Sequence, residues 1–257
     1  MSGERVWIGT SWKMTKTLAE SRAYAGRLAA QGIPQGVDVA VLPPLTALAE
    51  VSRTLAGSGV VVGAQNAHWA PDGAWTGEVS MSMVADAGAT LVEIGHSERR
   101  EHFAETDERV GLKVRSGLDA GLVPLVCVGE PESIRDAGRA EEFVLDQVRL
   151  ALARLDADEV SRVIVAYEPV WAIGEQGRPA SPAEVDPVMA VVAEHVSDLA
   201  DGPAPTLLYG GSVDLVNAPD LLRGPHTDGL FAGRSAWTVE GLLGLVAIGA
   251  AHLRGSR

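Results

Sequence analysis

The chain of 257 residues holds a single cysteine, Cys127, which excludes an internal disulfide and a thiolate cluster for a metal. Its place at the end of an apolar run reads as a small buried side chain. The six histidines include no H-x-H or H-E-x-x-H pair, so no metal site is expected. Basic residues are also scarce. With 21 Lys and Arg against 34 Asp and Glu the net charge is −13, which argues against a nucleic acid or an anionic membrane as partner. No apolar run reaches membrane-spanning length, and Met1 to Arg5 lead straight into a strand-like run, without the segments of a signal peptide. A cytoplasmic protein is the expectation. If its substrate is anionic, local geometry must outweigh a repulsive overall field.

What is present is apolar and regularly punctuated. Hydrophobic residues make up 46% of the chain, with 29 Gly and 14 Pro spread through it and no linker-like stretch, so one domain over 1–257 is the default. Eight short runs rich in Val, Ile and Leu recur: 6–8, 37–42, 60–62, 90–94, 123–128, 163–167, 206–209 and 229–232. Helical spacing fills segments between them, including 18–30, 46–55, 107–120, 140–155, 183–199 and 239–253. Nearly unbroken apolar strands alternating with helices predict a parallel sheet covered on both faces. Eight such units close into a (β/α)8 barrel. A doubly wound open sheet would want G-x-G-x-x-G after the first strand, and Gly9-Thr10-Ser11-Trp12-Lys13 stands there instead.

Barrel chemistry sits where strands end. Polar residues gather there: Lys13 after the first run, Gln65 and Asn66 after the third, His96, Ser97 and Glu98 after the fourth, Glu130 after the fifth. Glu168, Gly210-Gly211-Ser212 and Gly233-Arg234-Ser235 follow the last three. Glycine-rich turns leading into helix starts suit a phosphate dianion, which backbone N–H groups and helix dipoles would hold. The stretch Ala166 to Gly174 puts the Glu168 carboxylate at a strand exit and follows it with a stiff apolar loop. Read alone, Glu168 is either a structural cap or a base beneath a lid made with Trp171 and Ile173.

Trp12-Lys13-Met14, Gly63-Ala64-Gln65-Asn66, Gly77-Glu78, Gly95 to Arg100, Cys127-Val128-Gly129-Glu130, Tyr167 to Gly174 and Tyr209 to Val213 together resemble triosephosphate isomerase, over nearly the whole chain and in order. The resemblance implies that Glu168 is the base, that neutral His96 donates to the carbonyl oxygen, and that Lys13 supplies positive charge. It gives Glu98 a supporting role beside Lys13 and lets Tyr209 hold the lid shut. Gly174, Ser212 and Gly233 would offer backbone N–H groups to the phosphate of a small sugar. No cofactor or metal is implied, because one base shuttles the proton. The segment Asn66 to Val79, with Trp75 and Thr76, resembles the loop that family members insert into a second subunit, which implies a homodimer.

Three departures fall at the substrate site. The family's usual Asn is Ser11 here, the lid from Gly174 to Pro182 is one residue longer, and the usual Gly-Gly pair is Gly233-Arg234. Ser11 would open room for one more hydroxymethyl group while keeping a hydroxyl. Arg234 either contacts the phosphate or pairs with a surface carboxylate; the sequence leaves both open. These residues resemble a branch of the family, the erythrulose-phosphate isomerases, which convert L-erythrulose 1-phosphate to D-erythrulose 4-phosphate. The alternatives are an ordinary triose enzyme, an inactive barrel used as a scaffold, and a Schiff-base lyase. The last would want a lysine at a strand end, and the other lysines, Lys16 and Lys113, read as helix-side residues.

Overall fold

The computed structural model describes residues 5–174 and 177–255; Glu175 and Gln176 of the expected lid lie outside the described residues. Eight strands pair in parallel and in sequence order: β1 (Val6–Ser11), β2 (Val37–Leu42), β3 (Val60–Ala64), β4 (Leu91–Ile94), β5 (Val123–Val128), β6 (Ile164–Tyr167), β7 (Thr206–Tyr209) and β8 (Gly229–Ala232). β8 returns to β1, with Ile8 opposite Leu230, and closes the barrel. The fold is the (β/α)8 barrel that the alternation predicts.

Alternating side chains divide each strand between two cores. Ala40, Leu42, Leu91, Leu125, Cys127, Leu208 and Phe231 fill the interior. Ile8, Val39, Val92, Val126 and Val165 face outward into the layer shared with the helices. Helix starts follow local capping chemistry. Thr17 and Glu20 form a capping box at Leu18–Ala29, and Ser181 and Glu184 form another at Pro182–Leu199. The helix of Ser97–Phe103 starts directly after β4, with His96 itself as its N-cap. No helix among the described residues is long and apolar enough to cross a membrane. Because every strand runs the same way, all eight C-terminal ends share one rim, and residues from 11 to 237 meet there.

Candidate active site

A cavity of about 490 Å³ opens at that rim, lined among others by Ser11, Lys13, His96, Glu98, Glu168, Gly174, Ser212, Gly233 and Arg234. Tyr209 is fully buried below, and its hydroxyl has no hydrogen-bond partner among the described residues.

Glu168 follows β6, and its N–H donates to Val128 O at 2.7 Å. Two glycines make room for it. A Cβ on Gly129 would overlap the Glu168 carbonyl, and one on Gly210 would stand 2.6 Å from its Cγ and 2.8 Å from Oε1. The side chain is buried, and Oε2 has no hydrogen-bond partner among the described residues. Burial first, and then the negative charge of Glu93, push its carboxyl up to about 8.

His96 Nε2 lies 3.4 Å from Glu168 Oε2. On the other side of the ring, the Glu98 backbone N–H donates to Nδ1 at 3.1 Å. Nδ1 is therefore the acceptor, and the neutral ring carries its proton on Nε2, facing the cavity. Burial, followed by the nearby Lys13 charge, lowers the pKa of His96 and keeps the ring neutral. The turn before it is fixed by buried Glu105, which accepts from Gly95 N–H at 3.1 Å, Arg99 at 2.8 Å and Lys113 at 2.7 Å. Lys113 thus lies on a helix, as read, but buried and paired.

Lys13 donates to Glu98 Oε1 at 2.7 Å. Its backbone has φ 51°, a left-handed conformation that costs a non-glycine residue about 1–3 kcal/mol. Gln65 holds it there, its amide donating to Lys13 O at 3.0 Å and Leu42 O at 2.9 Å. Trp237 Nε1 donates to Ser11 O at 3.0 Å and fixes the other side of the turn.

The sequence pattern described as triosephosphate isomerase matches residues 6–249. The chain belongs to the triosephosphate isomerase family. It is 50% identical over 254 residues to a Rhizobium rhizogenes protein named L-erythrulose-1-phosphate isomerase, covering 98% of this chain and 97% of the relative. A Mycolicibacterium smegmatis protein of the same name is 49% identical over 98% of this chain and 96% of its own length. The crystal structure of triosephosphate isomerase from Bartonella henselae superposes with a TM-score of 0.86 at 34% identity, over 95% of this chain and 98% of that one.

In this member of the triosephosphate isomerase family the lid root is tied down from below. Trp171 Nε1 and Tyr167 OH both donate to buried Glu130, at 2.7 and 3.1 Å. The guanidinium groups of Arg135 and Arg178 lie 4.5 and 4.2 Å from the centre of the Trp171 ring, and both arginines pair with Glu184. Ser212 donates twice to Ala172 O, from its N–H at 2.9 Å and from its hydroxyl at 2.7 Å. Among the described residues Arg234 pairs with no carboxylate. Its guanidinium donates to Gly174 O at 2.8 Å while lining the cavity. That contact joins the last barrel strand to the lid.

One site residue escaped the sequence reading. Glu93 stands inside β4 with the parity of Leu91, and Ser11 Oγ donates to its Oε2 at 2.8 Å. Burial, only partly offset by that hydrogen bond, pushes its carboxyl up to about 7. The signal was a carboxylate in the otherwise apolar run Leu91-Val92-Glu93-Ile94.

Proposed function

We propose that the chain isomerises L-erythrulose 1-phosphate to D-erythrulose 4-phosphate through an enediolate, with Glu168, His96 and Lys13 as its catalytic residues. One observation carries the chemistry: a buried carboxylate faces the protonated nitrogen of a neutral imidazole at 3.4 Å across the mouth of the barrel. The named relatives at 50% and 49% identity, together with Ser11, favour the tetrulose phosphate over a triose phosphate.

Glu168 takes the proton from the hydroxyl-bearing carbon, and the released electron pair forms the carbon–carbon double bond. The former carbonyl oxygen takes up charge beside His96 Nε2–H and the Lys13 ammonium. The hydroxyl proton passes to that oxygen through His96, and Glu168 returns its own proton to the former carbonyl carbon. Atoms and electrons balance without a cofactor. Gly174, Ser212 and Gly233 hold the phosphate, and Arg234 adds a positive charge at that end. Freeing the Ser212 N–H for this task requires the 170–174 segment to move from its present contact, the motion of a closing lid, with Tyr209 as its catch.

Two results are expected from this arrangement. Because the base acts ionised, kcat/KM rises about tenfold per pH unit and levels off near pH 8, where the free carboxyl titrates. Gly210→Ala pushes the carboxylate off its position and lowers kcat by about 100-fold, read by steady-state kinetics. The substrate itself is tested by coupled assays of both phosphosugars. A kcat/KM for L-erythrulose 1-phosphate at least 100-fold above that for D-glyceraldehyde 3-phosphate supports the reading, and the reverse order overturns it.

We assign the protein to the cytoplasm, where phosphorylated sugars are retained by their charge. We also propose a homodimer through the Asn66 to Val79 loop. Exposed Met14, Leu45 and Phe103 line a cavity beside the catalytic Lys13, an apolar face that a partner loop carrying exposed Trp75 would cover. Sedimentation at twice 26.8 kDa is expected, and Trp75→Asp shifts the protein toward monomer.

A further inference from the structure

Unlike buried Glu105 and Glu130, which hold the turn at Gly95 and the root of the lid, buried Glu93 has neither such a role nor a part in the proton transfers set out above. Glu93 is only 3% exposed and stands two residues after Leu91, among interior apolar side chains. Its Oε2 is taken by Ser11, and among the described residues its Oε1 has only the Cys127 thiol at 4.0 Å. Burying a carboxyl here is costly unless its oxygens are used. The pair opens onto a second cavity of about 270 Å³, which shares Ser11, Lys13, His96 and Glu98 with the first. This second space contains none of the glycine-rich turn residues after β7 and β8, so it extends the site from its reacting end and not from its phosphate end. Its outer rim, Met14, Leu45 and Phe103, belongs to the face assigned to the second subunit. The residues it shares with the first cavity lie at its inner end, where Ser11 meets Glu93.

We propose that Glu93 and Ser11 form the subsite for a hydroxymethyl group carried on the reacting carbon remote from the phosphate, and so set the chain length the enzyme accepts. The inference rests on the tetrulose reading given above. The Ser11 proton is committed to Glu93, so the Ser11 oxygen is presented to the cavity as an acceptor of fixed direction. Glu93 Oε1 is a second acceptor close by. A terminal hydroxyl donates to this pair, while the small serine side chain leaves room for its carbon. A triose phosphate has no group to place there and leaves buried acceptors unpaired, the situation in which polar sites discriminate most strongly. Glu93 is thus a specificity residue. Its charge also acts on Glu168, which gives the test a second readout.

The experiment measures kcat/KM of the full-length enzyme for L-erythrulose 1-phosphate and for D-glyceraldehyde 3-phosphate, in wild type, Glu93→Gln, Ser11→Ala and the double variant. The expected result is a fall of about 100-fold in the ratio of the two values in each single variant, with no further fall in the double variant, because the two residues act as one unit. Glu93→Gln preserves shape, and Ser11→Ala leaves the carboxyl in place, so a folding defect in one does not silence the test. A ratio within threefold of wild type in both, whatever the absolute rates, overturns the proposal and leaves Glu93 as an electrostatic neighbour of Glu168. That role shows instead as a shift of the acid limb of the pH profile to lower pH in Glu93→Gln. A wild-type enzyme without activity on the tetrulose phosphate overturns the substrate reading itself, and this is seen before any variant is measured.

Discussion

Replacing Glu168 with Gln lowers kcat by about 10⁴-fold and leaves KM within about threefold, since an amide fills the same space but accepts no proton. The same variant is more stable than wild type at alkaline pH. The carboxyl's folded pKa is raised, from 4.5 to about 8, so its contribution to stability is fully present below 4.5 and is lost as pH rises through 8. An amide has nothing to lose over that window. Thermal unfolding at pH 9 therefore shows a higher Tm for Glu168→Gln than for wild type, and a gap that closes by pH 4. Loss of activity with a gain in alkaline stability marks a group held in a costly state for function, and a merely structural glutamate would lose both.

Lys13→Met lowers kcat/KM by about 10³-fold, the scale on which removing a preorganised donor to a developing oxyanion is felt. The protein carries a net charge of −13, and Lys13 is the cation placed beside the reacting end of the cavity. The structure invests in its position. The Gln65 amide, itself anchored on Leu42 O, donates to the carbonyl of Lys13 with its strained φ of 51°, and Glu98 fixes the ammonium at 2.7 Å. Steady-state kinetics at two ionic strengths check this: the variant is slow at both, and its residual rate is less sensitive to salt. A fall below tenfold would move the electrostatic role to Arg234.

The barrel was legible because each strand is a continuous apolar run, as burial on both faces demands. The runs at 37–42, 123–128, 206–209 and 229–232 match β2, β5, β7 and β8 to the residue. β1 and β3 extend further than read, to Ser11 and Ala64, because their last residues are small or polar yet still pair in the sheet. The short helices Met81–Asp86 and Ala218–Leu221 were not read, being too brief to show a period. At the site, Lys13, His96 and Glu168 could be located from strand ends, since a parallel barrel sends all of them to one rim. Two contacts could not be located in this way. Arg234 donates to a lid carbonyl, and no side-chain pattern reports a backbone acceptor 60 positions away. Glu93 pairs with Ser11 across 82 positions, so its strand parity was readable but its partner was not.

Proton NMR of the reaction in deuterium oxide, starting from L-erythrulose 1-phosphate, tests the central claim most directly. The account predicts D-erythrulose 4-phosphate with measurable deuterium on the former carbonyl carbon, and neither conversion nor exchange with Glu168→Gln. Conversion by that variant at the wild-type rate, or an enzyme that leaves the tetrulose phosphate unchanged while exchanging a triose phosphate, contradicts it.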